Sequence, residues 1–182
     1  MSKRHEIRLA GTGGQGIILA GVLLAEAAVR DGMNVVQTQS YGPEARGGAS
    51  RSEVIISDEE IDYPKVIEAD MMLCLSQEAC DRYSGRLRKD GMLVIDTDLI
   101  RRAPTTRAVR ASLTRTAEQT VGERLVANVV GLGVLAGLTQ VVSRESLEAA
   151  IRTRVPPSTT ELNLKALAVG YEIAEQFKEN TQ

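Results

Sequence analysis

Two glycine-rich stretches hold most of the chemistry this sequence can offer. They are GTGGQG, Gly11 to Gly16, and SYGPEARGGAS, Ser40 to Ser50. The first satisfies G-x-G-x-x-G at Gly11, Gly13 and Gly16. Glycines at that spacing allow a tight turn and a close backbone approach to a phosphate. The start of the following helix adds free N–H groups and a partial positive charge. The second places Glu44 and Arg46 between Pro43 and the pair Gly47–Gly48. A guanidinium can pair with a carboxylate or a phosphate, with Glu44 holding it in place or bonding to a partner. A local surface ion pair is the plainer account of the same two residues.

The remaining reactive inventory is thin. His5 is the only histidine, so a histidine-based triad or zinc site has no material. Cys74 and Cys80 are the only cysteines, too few for an iron–sulfur cluster that needs four. Cys74 lies in the apolar run ADMMLCL and reads as a free core thiol. Asp96 and Asp98 follow an apolar run as DTD. Such a pair can bind a divalent cation, though acids there more often cap the next turn. Arg101 to Arg115 contains five arginines and no acid. That face suits an acidic surface or a phosphate, or is simply solvated.

The elements that must position these residues can be read from periodicity. Residues 6–10 form a strand that runs into the first glycine turn. Apolar residues at Ile17, Gly21, Leu24, Ala25 and Ala28 then give helical spacing, with Gly32 as its stop. NVVQTQS, 34–40, is a second strand that leads into the second loop. If the strands at 6–10 and 34–40 are parallel neighbours, both loops emerge on one edge of the sheet. RSEVIIS, 51–57, is a third strand, and the polar DEE after it predicts a hairpin into IDYP. ADMMLCL and GMLVID read as buried strands, with a helix between them capped by Ser76 and stopped near Gly85. Leu125 to Ser143 has 19 residues without a charge, and Gly133 and Gly137 are four apart. Asn128, Thr139 and Gln140 argue against a membrane span, which leaves a helix buried in the core or at a subunit interface. Ser143 caps a short helix. STTE, 158–161, offers a capping box for a last helix with Leu164, Leu167, Ala168 and Tyr171 on one face.

The fold class that follows is α/β. The chain, 1–182, reads as one Rossmann-like domain with a mainly parallel sheet, a hairpin, flanking helices and a helical C-terminal part. A net charge of −2, no tryptophan and one phenylalanine give no basis for nucleic acid or a membrane as partner. The charged start MSKRHEIRLAG leads straight into a strand, which predicts a cytoplasmic protein. A dinucleotide fold usually places Asp or Glu about 20 residues past the glycines, on the second strand. Here that strand ends in Gln37, Gln39 and Ser40. Nicotinamide dinucleotide is therefore disfavoured. The first loop is either a tight turn without a ligand or a seat for another ligand or partner.

GTGGQGIILAG, QTQSYGPEARGGASRSEVIIS, IDYP, SQEA and ELNLKALAVGYE, in this order and spacing, resemble the gamma subunits of 2-oxoacid:ferredoxin oxidoreductases, most of all the 2-oxoglutarate type. The resemblance spans nearly the whole chain. It implies a complex in which a 2-oxoacid, coenzyme A and oxidised ferredoxin give acyl-CoA, carbon dioxide and reduced ferredoxin. It assigns thiamine diphosphate, Mg and iron–sulfur clusters to partner subunits, and none of these to this chain alone. The gamma domain is associated with active-site closure and coenzyme A. The positions that match its two loops are Gly11, Gly13, Gly14, Gln15 and Gly16, and Tyr41, Gly42, Pro43, Glu44, Arg46, Gly47, Gly48 and Ser50. No catalytic residue is expected in this chain. The competing account is a stand-alone NAD(P)-binding oxidoreductase of Rossmann type.

Overall fold

The computed structural model describes residues 3–40, 48–104 and 108–180. Its centre is β1, Arg4–Thr12, whose side chains alternate between two buried layers. Ile7 and Leu9 enter the larger core, while Ala10 enters the smaller one on the opposite face. The chain turns at the first glycine loop into α1, Ile17–Arg30, then enters β2, Asn34–Ser40. β3, Ala49–Ser57, and β4, Ala69–Cys74, follow. Then come α2, Gln77–Tyr83, β5, Leu87–Asp96, and the short β6, Val109–Ala111. The C-terminal part is helical: α3, Leu113–Thr116, α4, Ala127–Thr139, α5, Arg144–Arg154, and α6, Thr160–Glu179.

The six strands lie in the order β2-β3-β1-β4-β5-β6. β1, β4, β5 and β6 are parallel, and β3 runs against both β1 and β2. Two expectations are corrected here. The strands at 6–10 and 34–40 run the same way but are not neighbours, because β3 lies between them. The hairpin is not made through DEE into IDYP. Both edges of β3 are already hydrogen-bonded, to β2 and β1, so residues 61–64 have no edge to join. The hairpin is instead β2–β3, and the second glycine loop connects its strands.

α4 is buried on all sides, as expected for a helix without a polar face. It packs against α6 at glycine-on-glycine contact. A methyl group at Gly133 would lie 2.6 Å from the Leu167 carbonyl oxygen, and one at Gly170 would lie 2.3 Å from that of Val130. The uncharged run is therefore a core helix within this chain. No helix among the described residues is long and apolar enough to cross a membrane.

The close approach also corrects the face assigned to the last helix. The buried positions of α6 include Asn163, Leu167, Gly170 and Ala174, with Tyr171 only half-buried. Glycine marks the line of closest contact, and the larger apolar residues flank it. The capping box at 158–161 does not form, since no side chain caps α6. The hydroxyls of Thr159 and Thr160 turn back to donate to the Pro156 carbonyl. Ser76 and Ser143 do cap α2 and α5, by accepting from the N–H groups of Ala79 and Ser146.

Candidate functional site

The parallel strands β1, β4 and β5 end on one edge of the sheet, and the first glycine loop sits on that edge. α1 packs on one face and α2 on the other, so the chain leaves β1 and β4 in opposite directions. Ligands of open α/β sheets bind in the crevice opened by such a divergence. Here it holds a cavity of ≈ 490 Å³, floored by Thr12, Gly13, Gly14 and Gln15 and walled by Leu75 and Ser76. Thr114, Arg124, Leu125 and Ala127 complete the far side.

The glycine turn is shaped by its own contacts. Gln15 folds back so that its Oε1 accepts the Thr12 N–H at 2.7 Å, while its Nε2 donates to the Leu75 carbonyl at 2.7 Å. That clasp joins the ends of β1 and β4. It also explains Gly11, where a Cβ would stand 2.5 Å from Gln15 Oε1. Gly16 has φ 68, and Asn128 Nδ2 donates to its carbonyl at 2.8 Å. A Cβ there would come within 2.4 Å of Asn128 Nδ2. Gly13 and Gly14 remain exposed, and Gly14 has φ 89 with open space around it. Among the described residues no side chain caps α1, so its N-terminal N–H groups have no side-chain acceptor there.

The five positions Gly11, Gly13, Gly14, Gln15 and Gly16 therefore come together. Gly11, Gln15 and Gly16 shape the turn, and Gly13 and Gly14 are the ones open to a ligand. Ser50 lies alongside, paired in register with Gly11 and donating to its carbonyl at 3.4 Å. Gly48 is described just ahead of β3. Tyr41, Gly42, Pro43, Glu44, Arg46 and Gly47 lie outside the described residues. Both ends of that loop are fixed nearby, since Ser40 pairs with Arg51 and Thr12 with Ala49. The two glycine loops thus leave the sheet on the same edge, on either side of β3.

Three contributors were not singled out from the sequence. Asn128 registers only as a polar interruption of an apolar run, yet its amide ties α4 to the glycine turn. Arg124 and Leu125 are exposed at the cavity wall and sit in no recognisable motif. The aspartates of DTD serve as caps. The Asp96 carboxylate accepts the N–H groups of Asp98, Leu113 and Thr114, each at 3.1 Å, and the Thr114 hydroxyl. Burial pushes its pKa up against the Thr114 hydrogen bond. Asp98 accepts from Ser112 Oγ at 2.8 Å and from the Arg115 N–H at 2.8 Å. Burial works to raise Asp98, but these bonds and the Arg115 charge outweigh it and hold it low. Their oxygens are engaged by N–H and O–H donors in the turn that positions Thr114. Cys74 and Cys80 meet inside the smaller core. Donation of its S–H to Cys80, with burial, pushes the Cys74 thiol well above the ordinary cysteine value.

Comparison with known proteins agrees with this architecture. The profile of the family described as pyruvate ferredoxin/flavodoxin oxidoreductase matches residues 6–173. The 2-oxoglutarate synthase subunit KorC of Methanocaldococcus jannaschii is 51% identical over 179 residues, which is 96% of each chain. The crystal structure of the keto/oxoacid ferredoxin oxidoreductase gamma subunit of Geobacter sulfurreducens superposes with a TM-score of 0.87. It is 48% identical and covers 96% of this chain and 98% of its own. The 2-oxoglutarate:ferredoxin oxidoreductase of Magnetococcus marinus, solved with 2-oxoglutarate, coenzyme A and succinyl-CoA bound, shares the fold. Its TM-score is 0.85 at 23% identity, over 96% of this chain and 31% of that one. The chain belongs to the pyruvate ferredoxin/flavodoxin oxidoreductase family, as a gamma subunit of a 2-oxoacid:ferredoxin oxidoreductase similar to the 2-oxoglutarate type.

Proposed function

We propose that this subunit handles coenzyme A for a complex that oxidatively decarboxylates 2-oxoglutarate, yielding succinyl-CoA, carbon dioxide and reduced ferredoxin. The observation that carries the reading is the cavity over Gly13 and Gly14. It combines exposed glycine backbone, an uncapped helix N-terminus and the exposed cation of Arg124 on an otherwise largely apolar wall. That set suits a phosphate-bearing ligand with a long neutral arm. Its place on the carboxyl edge of the sheet also leaves it open to a neighbouring subunit.

Within the complex, thiamine diphosphate and iron–sulfur clusters on partner subunits would supply the carbon–carbon cleavage and the electron path. Our residues would bind and orient. The α1 N-terminus and Arg124 would face phosphate oxygens, Leu125 and Leu75 would pack the neutral arm, and the Gln15 and Asn128 contacts would hold the turn open. The second loop's Glu44 and Arg46 would share in coenzyme A handling, as the resemblance of the two loops implies. A nicotinamide dinucleotide fits less well. Its ribose acid belongs on the strand next to β1, but here the neighbour is β3. β2 stands two strands away, roughly 10 Å.

The reading is tested in the assembled enzyme. Arg124→Gln is expected to raise the KM for coenzyme A roughly tenfold, as loss of one charge-assisted hydrogen bond does, and to leave the KM for 2-oxoglutarate unchanged. An unchanged KM for coenzyme A would remove this cavity from coenzyme A handling.

A further inference from the structure

A second cavity, of ≈ 320 Å³, lies at the other end of α2 and is lined by Ser40, Arg51, Arg82, Tyr83 and Arg86. Three of its five lining residues are arginines, and none is an acid. The guanidinium groups of Arg51 and Arg82 stand 5.3 Å and 5.6 Å from the centre of the same Tyr83 ring. Tyr83 is itself buried, in the smaller core. Arg51 Nε is shielded from solvent and donates to nothing among the described residues. The nearest carboxylate oxygen, Glu53 Oε1, is 3.8 Å away and already accepts from Arg8 at 2.7 Å. Arg82 and Arg86 make no ion pair among the described residues. Lys65 adds a further positive charge at the adjoining cavity that shares Ser40, Arg51 and Arg86.

This arrangement is unfavourable on its own. Like charges converge and repel, and a buried N–H lacks an acceptor, which native structures rarely tolerate without a reason. An oxyanion would neutralise the converging charges. Its oxygens would accept from the Arg51, Arg82 and Arg86 guanidiniums and from the Ser40 hydroxyl. Arginine is the residue whose planar fork suits such an anion. We infer that this cleft is a binding site for a phosphate dianion, separate from the glycine-edge cavity.

The phosphate could be one carried by coenzyme A or a free phosphate anion, and the test distinguishes them. Inorganic phosphate and adenosine 3′,5′-bisphosphate are titrated into the full chain at about 0.1 M ionic strength, where surface attraction is largely screened. Saturable binding of both is expected. Arg86→Gln and Arg82→Gln, both exposed and safe for the fold, should each weaken it roughly tenfold, and Arg51→Gln by at least as much. Arg124→Gln, at the other cavity, should leave it unchanged. If coenzyme A binding to the assembled enzyme weakens with Arg86→Gln, the coenzyme supplies the phosphate. If coenzyme A is indifferent while inorganic phosphate binding is lost, the ligand is a free anion. Absence of saturable binding, or binding that survives Arg82→Gln and Arg86→Gln unchanged, overturns the site, as does finding a carboxylate of a neighbouring subunit on Arg51. The outcome is independent of whether the glycine-edge cavity takes coenzyme A.

Discussion

Gly170→Ala is expected to lower the melting temperature by roughly 6–12 °C, since overpacking at the severe end costs about 3 kcal/mol in a chain of this size. The added methyl would stand 2.3 Å from the Val130 carbonyl oxygen and 2.8 Å from Gly133 Cα, both backbone atoms. A flexible side chain could move aside, but a backbone cannot without separating α4 from α6. That pair forms the largest helix–helix contact among the described residues and buries the longest uncharged segment of the sequence. Gly133→Ala should have a similar effect, and the double variant should fall short of the sum, because the two methyls meet the same contact. Gly85→Ala is the control. A Cβ there has nothing within 4 Å, and its melting temperature should be nearly unchanged. Equal melting temperatures for Gly85→Ala and Gly170→Ala would show that the helices are not held at glycine contact.

The second large effect concerns the ion pair inside the sheet. Arg8 is fully buried on β1, and its nearest carboxylate, Glu53 on β3, is 8% exposed. The guanidinium donates to Glu53 Oε1 at 2.7 Å and to the Val66 carbonyl at 3.3 Å. Glu53→Gln would leave a buried cation without its counter-charge. The expected loss is about 3–5 kcal/mol, or roughly 6–20 °C in melting temperature. The paired substitution Arg8→Met with Glu53→Met should cost much less than Glu53→Gln alone, because it removes the charge and its desolvation together. A double variant no better than the single one would mean that the polar contacts to Val66 and its neighbours, rather than charge pairing, hold this region. Denaturant or thermal unfolding of the three chains distinguishes the two.

Much of this was legible in the sequence. The glycine turn, α1, β4, α2 and the caps at Ser76 and Ser143 follow from local pattern and capping chemistry, and the structure places them there. What local pattern does not carry is pairing. Nothing in 34–57 says that β3 inserts between β2 and β1, since strand order is decided by long-range contacts. That insertion is why the expected hairpin at DEE is absent. The α6 face was displaced for a related reason. Sequence reading seeks large apolar residues, whereas the closest contact with α4 runs through Gly170 and Ala174. In the site, Gly11 to Gly16 announced themselves by spacing. Asn128 and Arg124 did not, because each lies over a hundred residues from the turn it serves and in no periodic motif. The Arg51, Arg82, Arg86 cluster is scattered over three elements, and only the fold assembles it. Glu53, one acid within the strand RSEVIIS, shows nothing in its local pattern of its role as the buried partner of Arg8.

As proposed above, this chain is a required subunit of a coenzyme A-dependent 2-oxoglutarate:ferredoxin oxidoreductase. The most direct measurement is ferredoxin reduction by 2-oxoglutarate and coenzyme A, using the complex assembled from its other subunits with and without this chain. The rate should be near background without it and rise to saturation at one chain per active site as it is added back. A full rate in its absence would contradict the claim.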